Sequence, residues 1–289
     1  MTTTPRTWLY VPGHSGTRIG KAIASGADAV VIDLEDAVPP DAKAQARSAA
    51  VATIEQWADE PDAPQIWVRV NDTASPWHRA DIDALASTTL AGSSSGGIRI
   101  PKAEAPELIQ AIGDTTGIRM QLLVESARGL LDIAALAAAH PLVTGISAGE
   151  ADLAADLRVP SSGLTWARGW LVAAVRAAGL ESPIQSVYTK VSDLDGLRTD
   201  SEYGRDTGFF GRSVIHPRQI AIVHEVFTPA AAEIDRAQET VDAAAQAQSE
   251  GTAAFIDKHG RFIDNAVVEQ ARAVLARART TPTSASTSA

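Results

Sequence analysis

Short apolar runs alternate with longer stretches of helical period along most of the chain. The runs at 8–11, 29–33, 66–70, 97–100, 120–125, 143–147, 184–188 and 211–215 are rich in Val, Ile and Trp and bounded by turn residues. That pattern predicts buried strands. Between them, Ala- and Leu-rich segments at 18–25, 41–57, 105–112, 128–139, 163–178, 194–207 and 216–227 read as helices. Eight strand–helix units over residues 1–227 predict a (β/α)8 TIM barrel. An open doubly wound sheet is the alternative, but no Gly-x-Gly-x-x-Gly follows a strand to support it. The Gly- and Ser-rich stretch 92–97 reads as a loop into the fourth strand.

After Phe227 the pattern changes. Thr228-Pro229 precedes a long helix at 230–248, the runs 253–257 and 261–263 flank Lys258-His259-Gly260 as a hairpin, and a last helix spans 266–279. Eight barrel units do not need this extension, 228–279, so it is expected to serve as a lid or an oligomer contact. Residues 280–289 carry no apolar pattern and are expected to be disordered.

The 289 residues suffice for a large core, and the net charge of −10 argues against nucleic acid or a membrane surface as partner. With no cysteine there is neither a disulfide nor thiol chemistry. The first residues lack the apolar stretch of a signal peptide, and no apolar run is long enough to span a bilayer. A soluble, cytoplasmic protein is expected.

Candidate chemistry gathers where strands end. The fifth run stops on Glu125, and the sixth leads into Gly149-Glu150-Ala151-Asp152. On consecutive parallel strands, Glu125 and Asp152 would emerge side by side at the carboxyl edge, where α/β folds place their chemistry. Such a pair suits a hard divalent cation such as Mg2+; the bland alternative for each is a carboxylate at a helix N-terminus. The first loop, Pro12-Gly13-His14-Ser15-Gly16-Thr17-Arg18, opens a helix carrying Lys21. It offers an anion site or merely a tight turn with solvated bases. The second strand ends in Asp33-Leu34-Glu35-Asp36, three carboxylates that need a cation or arginine nearby, and the next helix carries Lys43 and Arg47 on one face.

Arg69 lies inside the apolar third run, where a guanidinium needs a partner. It is either tied to the acidic cluster or a clamp for a substrate oxyanion, and the clamp is the reading taken. Arg99 and Lys102, around Ile100-Pro101, read as structural partners of Glu104 or a neighbouring carboxylate. His216, before Pro217, reads as an anchor in its turn more than as a general base. Gly92-Ser93-Ser94-Ser95-Gly96 formally fits a nucleophile elbow but precedes a strand, so the match is taken as chance.

Together, Tyr10-Val-Pro-Gly13, Gly26-Ala-Asp28, Asp33-Leu-Glu-Asp36, Lys43, Arg47, Arg69-Val-Asn71, Pro101-Lys102, Glu125-Ser-Ala-Arg-Gly129, Asp152-Leu153, Ile215-His-Pro217 with Gln219, and Ile263-Asp264 resemble the citrate lyase beta-subunit family. That family lies within the malyl-CoA lyase and HpcH/HpaI aldolase superfamily. The resemblance runs over residues 6–278. It implies a (β/α)8 barrel with Mg2+ on Glu125 and Asp152, and Arg69 on the substrate's carbonyl or enolate oxygen. It implies a CoA-type thioester lined by Tyr10, Thr17, Lys21, residues 33–44 (Asp33, Glu35, Asp36 and Lys43 among them), Ile215 and His216, with Arg18 beside them. It also implies a homotrimer in which Asp264 reaches a neighbouring subunit's site as a proton shuttle. Two positions depart from the family: Ala151 precedes Asp152 where a glutamate is common, with Glu150 one place earlier, and Asn265-Ala266 stands where a proline is usual. The implied activity is Mg2+-dependent cleavage or synthesis of a β-hydroxyacyl-CoA through an enolate. The competing readings are a CoA-independent 2-keto acid aldolase and a non-catalytic acyl-thioester-binding subunit.

Overall fold

The computed structural model describes residues 4–58, 60–252 and 254–279, so the tail expected to be disordered lies outside the described residues. Two compact units form, Pro5–Phe227 and a second that begins at Thr228.

The first unit is built on seven parallel strands: β1 (Thr7–Pro12), β2 (Ala29–Asp33), β3 (Gln65–Arg69), β4 (Gly96–Ile100), β5 (Met120–Val124), β6 (Val143–Ala148) and β7 (Arg212–Val214). Their order is β6-β5-β4-β3-β2-β1-β7, a curled α/β sheet with helices between and after the strands, among them α1 (Gly16–Ile23), α4 (Pro106–Thr116), α8 (Thr165–Ala177), α9 (Leu194–Asp206) and α10 (Ile220–Phe227). Parallel strands buried on both faces read as continuous apolar runs, and all of β2 is buried. Alternation along the strands separates two cores. Trp8, Ala29, Val31, Trp67 and Ile184 form one cluster with Tyr10 packed against it, while Leu9, Val30, Ile32, Ile66 and Val68 join the larger core with the helices. In α2 (Lys43–Trp57), the buried residues Ala46, Ala50 and Ile54 recur every four positions, the stripe a helix needs to pack on a sheet.

Three expectations need correction. The stretch 92–97 is not all loop, because Gly96 and Gly97 belong to β4. A Cβ at Gly97 would lie 2.6 Å from the Trp67 ring, so glycine there makes room for the tryptophan. The seventh run, 184–188, forms no ladder; it makes one parallel bridge, Gln185 to Arg212. Toward β6 its links run through hydroxyls: Ile184 N donates to Ser147 Oγ (3.1 Å) and Glu150 N to Ser186 Oγ (3.4 Å). Side-chain acceptors thus replace the main-chain partners of a strand. The segment predicted as one helix at 128–139 breaks at Asp132 into α5 (Ala127–Leu131) and α6 (Ile133–Ala138). Two short helices, α3 (His78–Leu85) and α7 (Glu150–Leu157), were not legible in the apolar pattern, since each buries only two or three side chains on the core.

The second unit contains α11 (Ala231–Ser249), the antiparallel pair β8 (Phe255–Ile256) and β9 (Phe262–Ile263), and α12 (Asn265–Arg279). Gly260 takes φ 77° in the hairpin turn, and the Asp257 carboxylate accepts from the backbone N–H of His259 and Arg261. Among the described residues no helix is long and apolar enough to cross a membrane.

Candidate active site at the carboxyl edge of the sheet

Strand register brings the candidate groups together. Asp33, Arg69 and Arg99 pair in one row across β2, β3 and β4, and Val124 pairs with Ala148, so β5 and β6 end beside each other. Glu125 follows β5, and Asp152 lies in the first turn of α7, just after β6. A cleft of about 390 Å3 is lined by Tyr10, Asp33, Asp36, Arg69, Arg99, Glu125, Asp152, Ser213 and Ile215, with apolar walls from Leu123, Ala148 and Ile184.

One sector of this rim is densely paired. Arg69 donates from Nε and Nη2 to the two oxygens of Asp33 at 2.7 and 2.6 Å, and its Nη1 lies 3.0 Å from Glu35 and 3.4 Å from Asp36. Asp33 also accepts from the backbone N–H of Glu35 and Ala37. Burial works against the Arg69 charge, but the hydrogen bonds and charge of Asp33, with Glu35, more than offset it and raise its pKa. Lys102, in the left-handed region at φ 50°, reaches Glu35 at 3.0 Å and Asp72 at 3.4 Å.

Lys43 is buried, and Nζ donates to Leu34 O (2.7 Å), Glu35 O (2.7 Å) and Asn71 Oδ1 (2.6 Å). With all three protons of its ammonium engaged, Lys43 ties the loop after β2 to the end of β3. Asn71 passes the connection to Asp81, which Arg47 also pairs at 2.8 Å. A second cleft of about 420 Å3 lies against Glu35, Asp36, Lys43, Trp77 and Lys102.

The other sector is poorly neutralised. Glu125 is buried, and its Oε2 accepts from Lys102 N at 3.2 Å. Burial, then the like charges of Glu35 and Asp152, push its pKa up to about 7. A Cβ on Gly149 would lie 2.4 Å from Glu125 Oε1, so only glycine leaves the carboxylate its place. Glu150 turns to Arg168, which donates to both of its oxygens at 2.9 and 2.5 Å. The displaced acid before Ala151 is therefore a structural partner on the rim.

The remaining candidates are spread out. Thr17, Arg18 and Lys21 lie exposed on α1 (Gly16–Ile23). Ile215 lines the cleft, and Tyr10 does so with its ring beneath the Arg69 guanidinium, 5.3 Å from it. His216 Nδ1 accepts from Arg218 N at 3.1 Å, which makes it the cap of its own turn. Asp264 sits in the second unit, where Oδ1 accepts from Val267 N at 3.0 Å and caps α12. Sequence reasoning missed the isolation of Arg99 and the role of Gly149; the only hint of the first was an arginine between Ile98 and Ile100.

Comparison with known proteins bears on the chain as a whole. The model of the HpcH/HpaI aldolase/citrate lyase family matches residues 6–217. A (3S)-malyl-CoA thioesterase from Cereibacter sphaeroides is 38% identical over 94% of both chains. An L-malyl-CoA/beta-methylmalyl-CoA lyase from the same species is 30% identical, also over 94% of both. Among solved structures, the protein CitE from Mycobacterium tuberculosis in complex with magnesium, acetoacetate and coenzyme A superposes with a TM-score of 0.78. It is 29% identical, and the match covers 96% of this chain and 98% of that one. A citrate lyase beta subunit from M. tuberculosis, complexed with oxaloacetate and magnesium, has a TM-score of 0.67 at 29% identity, over 78% and 97% of the two chains.

Proposed function

The chain belongs to the HpcH/HpaI aldolase/citrate lyase family, and from that premise we propose that it is a Mg2+-dependent carbon–carbon lyase or synthase. Its substrate in this reading is a β-hydroxyacyl-CoA of the malyl, citramalyl or citryl kind. The observation that carries the reading is the buried Glu125 carboxylate, whose pKa is pushed up to about 7 by burial and by its acidic neighbours. Among the described residues no group of three or more His, Asp or Glu side chains gathers to hold a metal. Two carboxylates, with the remaining positions left to substrate oxygens and water, fit Mg2+, which keeps part of its water shell. Glu125 and Asp152 would hold the ion, and bound there it polarises the oxygens of the small acid.

The chain's own residues do the rest. Lys102 N–H and the bare Cα of Gly149 fix the Glu125 carboxylate. Arg69, held by Asp33 and Glu35, presents a fixed guanidinium where negative charge develops on the thioester oxygen as the carbon–carbon bond breaks. In that direction the hydroxyl proton passes to solvent water as a keto or aldehyde acid forms, and the acetyl carbon takes up a proton. We assign that proton to Asp264 from an adjacent subunit of a homotrimer. Tyr10, Thr17, Arg18, Lys21, Asp33, Glu35, Asp36, Ile215 and His216 would line the CoA thioester. Lys43 shapes that wall through the loop it ties down, since its ammonium is fully used inside.

A second reading is hydrolysis of the same thioester, favoured by the 38% identity to a (3S)-malyl-CoA thioesterase. Product analysis separates them. Malyl-, citramalyl- and citryl-CoA are supplied with Mg2+; at least one should give acetyl-CoA and a keto or aldehyde acid, and EDTA should abolish this. Free CoA with the intact hydroxy acid selects the hydrolase. Turnover of free hydroxy-keto acids alone selects the aldolase, and CoA binding without turnover selects the non-catalytic subunit.

A further inference from the structure

Two arginines share a row on the inner face of the sheet, and they are treated differently. Arg69 has three carboxylates; Arg99, the next residue in the row, makes no ion pair among the described residues. It is only 1% exposed. Nη1 lies 3.4 Å from Ser213 Oγ, and Nε is enclosed with no partner. Two aromatic faces, Trp8 at 5.1 Å and Tyr10 at 5.5 Å from the guanidinium carbon, supply what compensation there is. Burying a guanidinium with no ion-pair partner is costly; beyond these contacts the charge of Glu125 acts on it favourably, but at longer range than an ion pair. Arg99 nevertheless lines the same cleft as Glu125 and Asp152. The cleft thus offers one under-neutralised anion and one unpaired cation, the complement of a cation and an anion arriving together.

We propose that Arg99 is a specificity-determining residue that receives a second carboxylate, carried by the small-acid half of the substrate. The inference rests on the lyase reading above. The 2-keto oxygen and its adjacent carboxylate belong on the acidic side, at Glu125 and Asp152. Arg69 is committed to Asp33 and Glu35 and to the thioester oxygen. Arg99 is left for an anion that a monocarboxylic acid does not have. The favoured partner is therefore a dicarboxylic 2-keto acid of the oxaloacetate class, in preference to pyruvate.

Calorimetric titration of the full-length protein with oxaloacetate and with pyruvate, in excess Mg2+, tests this. Wild type should bind oxaloacetate about tenfold or more tightly, the scale of a buried charge-assisted pair. Arg99→Met fills the space between the aromatic rings without charge. It should erase the preference by weakening oxaloacetate about tenfold while leaving pyruvate within about twofold. Should Arg99→Met not fold, Arg99→Lys carries the same test, because losing the planar fork should still reduce the preference. Equal affinities in wild type, or a preference that survives substitution while both acids bind, would overturn the assignment of Arg99 alone. Failure of wild type to bind either acid, with no thioester turnover, would overturn the lyase reading and this one with it.

Discussion

The rim of the sheet has two sectors that handle buried charge in opposite ways. From β2 to β3, Asp33, Glu35, Arg69, Lys43, Asn71 and Asp81 form a connected network in which the cations meet oxygens. From β4 to β6, Glu125 is held by one backbone N–H and pressed by like charges, and Arg99 has a single long contact to a hydroxyl. The difference teaches where stability ends and ligand chemistry begins. A network that satisfies itself can hold a loop in place, whereas groups left under-compensated in a cleft gain from binding something else.

Several substitutions would break or sharpen this contrast. Glu125→Gln should abolish most thioester turnover and weaken Mg2+ binding in calorimetry, with near-native circular dichroism. Unfolding of the variant at room temperature would move Glu125 into the structural sector. Arg69→Lys keeps the charge but loses the paired donors to Asp33, so turnover should fall about a hundredfold. Wild-type rates in that variant would make Arg69 purely a member of the network. Lys43→Met belongs to the paired sector and should act on stability, costing about 3 kcal/mol in denaturant unfolding through the buried acceptors it abandons.

Acidity gives a subtler measure. In the folded protein burial and the charges of Glu35 and Asp152 push the Glu125 pKa up from its ordinary 4.5 to about 7, so folding favours its protonated form. That contribution is fully present below the ordinary value and is lost as pH rises through about 7. Thermal scans in EDTA should show wild type losing stability relative to Glu125→Gln across this interval, and parallel curves would contradict it. The smallest expected signal concerns assembly: mixed Asp264→Ala and Glu125→Gln subunits should regain a minority of wild-type turnover. No gain after proven subunit exchange would confine Asp264 to capping α12.

Much of the fold was legible because apolar runs in a parallel sheet are short, continuous and separated by amphipathic helices. The seventh run escaped because Ile184 to Tyr188 looks like a strand in composition, yet its neighbour across the gap offers a serine hydroxyl. The carboxylates at strand ends could be read from position alone, since a residue's place at the carboxyl edge follows from where its run stops. Partnership could not. Whether Arg69 or Arg99 would capture Asp33 depends on register across three strands, and periodicity carries no register. The isolation of Arg99 and the closeness of Gly149 to Glu125 are facts of packing between segments distant in sequence.

The missing ladder beside β6 has a mechanical consequence. Between all other neighbouring strands, parting the sheet means breaking a row of main-chain hydrogen bonds together. At the seam facing residues 184–188 the links on the β6 side are two hydroxyl contacts, from Ser147 and Ser186. Ile184 and Ser186 also line the cleft. Local opening along this line breaks fewer main-chain hydrogen bonds than elsewhere in the sheet, and amide hydrogens of residues 184–188 should exchange with solvent sooner than those of β2 or β3. Such an opening would widen the mouth of the cleft while the paired sector, and the fold around it, stays shut.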